Sequence, residues 1–138
     1  MAASGLISAL VSLLQGIEGL EQVVDTAYGW PGSFPAAVVE LAKLAAVAPQ
    51  ELGAAEVLKT TLTVTVINQI ASQDAAASAR DKALDLSLQL RKSLYANPTL
   101  DGAALAAKPG PAELSWQTRD TQDYVLITTQ VIATTEET

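Results

Sequence analysis

The chain has 138 residues, 49% of them hydrophobic and 17% charged, with no Cys, no His and a net charge of −7. That length makes one domain, residues 1–138, able to bury a core without covalent staples. The missing residue types remove thiolate and imidazole metal ligands, Cys nucleophiles and the commonest general base, and the excess of acids disfavours a nucleic-acid backbone as main partner.

The first apolar segment carries Leu6, Leu10, Leu13, Ile17, Leu20 and Val24 at spacings of three and four, which predicts an amphipathic helix with Ser4 as its N-cap. No Lys or Arg precedes Lys43, so the basic region of a secretory signal is missing. Gln15, Glu18, Glu21 and Gln22 interrupt the run a membrane span needs. The expectation is a protein made and used without export, with no membrane partner.

TAYGWPGSFP, rich in Gly and Pro, reads as a turn-rich loop. Residues 36–48 carry both helix and strand signals; Val38-Val39 and the lack of a clean polar face favour a strand that enters a hairpin with PQELG at its tip. Residues 57–67 alternate, with Leu58, Leu62, Val64 and Val66 on one face and Lys59, Thr61, Thr63 and Thr65 on the other. The unbroken β-branched run from Thr63 to Ile67 makes this the clearest strand.

A second helix is predicted from an Asp74 cap through Tyr95, with Ala79, Ala83, Leu86, Leu90 and Leu94 forming the face that lies on a sheet. Asn97-Pro98 ends it. TLDGAALAAKPGP then reads as a connection, followed by strands at 113–119 and 123–135 joined by a short hairpin link. The expected fold is α+β: a mostly antiparallel sheet of about four strands packed by two helices, in the order α-β-β-α-β-β.

Nothing along the chain makes a chemical motif. Gly16 and Gly19 lie inside a helical pattern rather than after a strand, so they make no phosphate loop. Asp81 and Asp85 have Lys82 between them and no third ligand nearby. Glu136-Glu137 are terminal charges that solvate themselves. Trp30 and Trp116 read as core or interface anchors. The expectation is therefore a non-enzyme without catalytic residues, metal or cofactor.

Two features exceed the needs of a small core. Opposite its core face, the second helix carries Leu84, Leu88 and Tyr95 beside Arg91, a stripe suited to a subunit contact. The last strand is apolar on both sides: Val125, Ile127 and Val131 face one way, and Tyr124, Leu126 and Ile132 the other. Oligomerisation through Leu84, Leu88, Arg91, Tyr95, Tyr124, Leu126 and Ile132 is expected. The acidic loop at 49–56 carries Glu51 and Glu56 with no basic residue among them, and reads as an ordinary solvated loop or one that meets a partner.

The ordering, with FPAAVVEL leading into a first strand, TLTVTVINQ, the helix ARDKALDLSLQLRKSLYANPTLDG and the final DYVLITTQVIAT, resembles bacteriophage tail-terminator and tail-completion proteins of the lambda minor tail protein U type. The resemblance spans nearly the whole chain and rests on layout. It implies a structural virion protein, assembled in the host cytoplasm and ending in the tail. Six copies would close into a ring on the tail tube, stop its polymerisation and offer a surface to head or neck proteins. DNA would pass through the lumen without specific binding, and an acidic wall suits that passage. The alternatives are another head–tail connector, tail-tube or sheath-end subunit or, in a different class, a small-molecule-binding or regulatory α+β domain.

Overall fold

The computed structural model describes residues 3–25, 29–46 and 56–137. Two helices lie on one face of a five-stranded mixed sheet, in the chain order α1 (Ala3–Gln15), β1 (Gln22–Val24), β2 (Ala36–Ala46), β3 (Glu56–Ile70), α2 (Ala76–Ala96), β4 (Ala106–Arg119) and β5 (Gln122–Glu137). The order across the sheet is β1-β2-β3-β5-β4. β1 runs parallel to β2, and every other neighbouring pair is antiparallel.

The α+β class holds, and the sheet differs from expectation in having a fifth strand. The first helix stops at Gln15 instead of running to Val24. Gly16 begins a turn, and Gly19 takes φ +103°, a left-handed conformation that ends helical continuity. Freed from the helix, Gln22–Val24 pairs with Ala36–Val38. The buried positions of this segment are Leu6, Leu10, Leu14 and Ile17, so Leu14 takes the core place expected of Leu13. Ser4, expected as the N-cap, lies within the helix.

Residues 36–46 form a strand, the alternative favoured by Val38-Val39. β3 is the spine of the sheet, paired along its whole length with β5 and along most of β2's length with β2. Leu62, Val64 and Val66 lie opposite Val131, Thr129 and Ile127, and this set faces the helices. Ala79, Ala83, Leu86, Leu90 and Leu94 of α2 close over them, each buried. The small residues come first along this face and the leucines after them, all packed into the core. Asn68 Nδ2 donates to the Ala79 carbonyl at 3.2 Å, tying the end of β3 to the first turns of α2.

Asp74 does not cap α2. It lies in a 3₁₀ turn, Gln73–Ala75, and the residue at the cap position is Ala75, which makes no side-chain capping bond. The other end follows the sequence: Asn97 N–H donates to the carbonyls of Ser93 and Leu94, and Pro98 cannot continue the ladder.

The segment read as a connection up to Pro111 is partly strand. β4 begins at Ala106 and passes through Lys-Pro-Gly-Pro with a register shift between Pro109 and Ala112. An edge strand tolerates prolines because one side of its backbone has no ladder to complete. A side chain at Gly110 would be a tight fit: a Cβ would stand 3.2 Å from Gln130 Cβ and 3.3 Å from Ile132 Cδ1. β4 and β5 meet at a two-residue turn, Asp120-Thr121, with φ of 52° and 65°. That is the primed turn whose twist matches a tight antiparallel hairpin.

Candidate functional site

The face of the sheet away from the helices is only partly covered. Val38, Ile67 and Tyr124 form a second, small core under Trp30 and Phe34. Trp30 meets Tyr124 edge-on with ring centroids 5.0 Å apart, and Phe34 meets it at 5.1 Å. The loop that carries these rings is held by Gln22 Oε1, which accepts from Gly32 N at 2.9 Å and Ser33 N at 3.1 Å. Arg119 stacks over the Trp30 ring at 4.4 Å. Beside this cluster is a recess of about 220 Å³ that includes Trp30, Glu40, Thr65 and Arg119 in its lining. Ligand pockets for drug-sized molecules usually exceed about 300 Å³.

The residues expected at a subunit interface fall into two groups. Tyr124 is buried within its own chain by the aromatic cluster and is not an open contact. Leu126 is half-buried against the same cluster, and Ile132 is half-buried further along β5. Alternation along β5 is as read: Val125, Ile127 and Val131 are buried towards the helices. The second face of the doubly apolar strand is thus covered chiefly by the Trp30–Phe34 loop, a cover that no local pattern signals.

The α2 group stays open. Leu84, Leu88 and Tyr95 are 46%, 51% and 67% exposed. Arg91 is half-buried, and its Nη1 donates to the Gly110 carbonyl at 2.6 Å, across to the bulge of β4. Positions 84, 88, 91 and 95 share one helical stripe, so this bond fixes the stripe as the flank of α2 turned towards β4. Asp85, Leu88, Gln89, Arg91, Lys92 and Tyr95 line an open groove there of about 580 Å³.

Of the exposed apolar residues on the sheet itself, sequence reading missed Leu41, Leu44 and Leu114 and gave Trp116 as a core or interface anchor. Leu41 and Leu44 on β2 are 48% and 50% exposed, and Leu114 and Trp116 on β4 are 44% and 52% exposed. By register these four lie on the helix-facing side, opposite Leu62, Thr60, Ile127 and Val125. They sit on β4, at one edge of the sheet, and on the part of β2 beyond its pairing with β1. The signal was present in the alternation of residues 112–119, but strand order, which makes β4 an edge, was not. Glu51 lies outside the described residues, as does the side chain of Glu56, whose backbone begins β3.

Among the described residues no group of three or more His, Cys, Asp or Glu could hold a metal ion, and no helix is long and apolar enough to cross a membrane. What this arrangement offers is surface: apolar residues on β2, on β4 and on one flank of α2. No family model matches the chain, and no curated protein matches it.

Proposed function

We propose that the chain is a structural subunit of a phage tail, a tail-terminator protein that closes as a hexameric ring on the finished tube. In this role it ends tube polymerisation, presents a surface to head or neck proteins, and lets DNA pass an acidic lumen. The observation that carries the reading is the distribution of apolar surface: Leu41, Leu44, Leu84, Leu88, Leu114 and Trp116 all remain open on a single domain with a well-filled core. Scattered exposed leucines need no explanation, but apolar residues gathered on β2, β4 and an adjoining helix flank mark an association surface. The resemblance in element order supplies the kind of assembly. A chain carrying −7, repeated around a ring, gives a wall that does not retain phosphates.

The test is deletion of the gene from the phage that encodes it, followed by electron microscopy of the lysate. Overlong tail tubes without heads are expected, with normal tails restored by supplying the chain in trans. Tails of normal length joined to filled heads in the deletion strain would overturn the assignment.

A further inference from the structure

Two stretches of backbone, at opposite ends of the sheet, have no strand beside them among the described residues. One is the outer edge of β2 beyond its short pairing with β1, residues 39–46. The other is the outer edge of β4, where residues 111–119 are all exposed. Unpaired edges of this length are templates for another strand. On β4, Pro109 and Pro111 lack amide donors, so they confine new pairing to residues 112–119.

The two edges match each other. On the helix-facing side β2 presents Leu41 and Leu44, and β4 presents Leu114 and Trp116. The bulge between Leu41 and Lys43 is what brings two residues three apart onto one face. On the opposite side β2 carries Glu40 and Lys43, and β4 carries Glu113 and Arg119, opposite Thr63, Thr61, Thr128 and Gln122 respectively. Within the sheet β2 and β4 run in opposite directions, as the three successive antiparallel pairings require. A second copy placed in the same orientation therefore brings β4 against β2 antiparallel. In that direction the register that brings Arg119 level with Glu40 brings Trp116 level with Leu44, the bulge taking up one residue.

We propose that β4 of one copy adds to β2 of the next, head to tail, with Arg119 opposite Glu40 and Trp116 beside Leu44, the register that stops short of β1. Gln117 then stands opposite Lys43, and Trp116 lies diagonal to Leu41. Such apolar and opposite-charge pairs are the units that stabilise and register a sheet. β1 sets the limit, because it occupies the β2 edge at Ala36–Val38 and blocks any further slide of the incoming hairpin. The same placement turns the Leu84–Leu88 flank of α2 towards the α1 of the next copy, since α1 packs over β1 and β2. A two-fold pairing of β4 with β4 would leave Leu41 and Leu44 bare, whereas a head-to-tail contact uses both edges and closes when the rotation permits. The inference rests on the ring reading for the number of copies, and on the edges alone for the pairing.

The natural chain has no cysteine, so introduced thiols report without background. Lys43→Cys and Gln117→Cys proteins are prepared separately, checked for native circular dichroism, and oxidised alone and as a mixture. The mixture is expected to form disulfide dimers at least about tenfold faster than either alone, the advantage of held geometry over collision. The double variant is expected to give a ladder of covalent oligomers. Equal rates in all three samples overturn the pairing, and so does rapid self-coupling of Gln117→Cys, which marks a two-fold β4 contact. Closed rings without the cross-link sink the strand pairing and leave the ring. A ladder that never closes keeps the pairing and sinks the ring.

Discussion

Leu88 and Leu90 are two residues apart on α2, about 200° around the helix, and they separate the core face from the exposed flank. Leu90 is completely buried among the sheet residues, while Leu88 is 51% exposed on the flank facing the β4 side. Truncating a buried leucine to alanine costs about 2–5 kcal/mol, the lost transfer energy plus the cavity left behind. For Leu88 half of the side chain is already in water and no enclosed cavity is made, so the loss is about 1 kcal/mol or less. A domain of this size loses about 4 °C in Tm for each kcal/mol. Calorimetry on dilute protein should therefore give a fall of about 8–20 °C for Leu90→Ala and under about 4 °C for Leu88→Ala. The double change Leu84→Asp with Leu88→Asp should leave a folded chain that no longer associates. Equal destabilisation by Leu88→Ala and Leu90→Ala would refute the reasoning, because it would mean that the flank is packed inside the subunit.

Three further outcomes follow from local geometry. The Thr129 hydroxyl is buried in the helix-facing layer with no hydrogen-bond partner, so Thr129→Val should raise stability by about 1 kcal/mol in denaturant titration; a loss would reveal a bound partner for the hydroxyl. Thr121 holds φ 65° at the second turn position, and Thr121→Gly should add about 1 kcal/mol by the same measurement, with a decrease counting against the turn assignment. Arg91→Met removes the 2.6 Å bond to the Gly110 carbonyl and should cost about 1–2 kcal/mol. Faster amide exchange across residues 108–112 should accompany it, and unchanged exchange there would show that Arg91 does not hold the bulge.

The helix-facing core was legible because it rests on periodicity: the alternation of 57–67 and the spacing of Ala79, Ala83, Leu86, Leu90 and Leu94 each select one buried face. What periodicity does not carry was missed. β1 is three residues long and takes its identity from pairing with β2, not from its own pattern. The continuation of β4 through Pro109 and Pro111 is allowed only because the strand lies at an edge, and edge status is a property of strand order. Leu41, Leu44 and Leu114 share that history, since their exposure depends on which strand edges stay unpaired. Tyr124 went the other way: its apolar character was read as a contact for a neighbour, and the Trp30–Phe34 loop of its own chain covers it. Leu84 and Leu88 were legible as outward-facing because α2 is long enough for its second stripe to show.

Electron microscopy of the purified, concentrated chain, with its mass measured on the same sample, tests the central claim most directly. The account predicts closed rings with six-fold symmetry at six times the 14.3 kDa mass of the chain, lost when Trp116 and Leu41 are changed to Asp. A monodisperse monomer at every concentration, or a closed two-fold dimer, would contradict it.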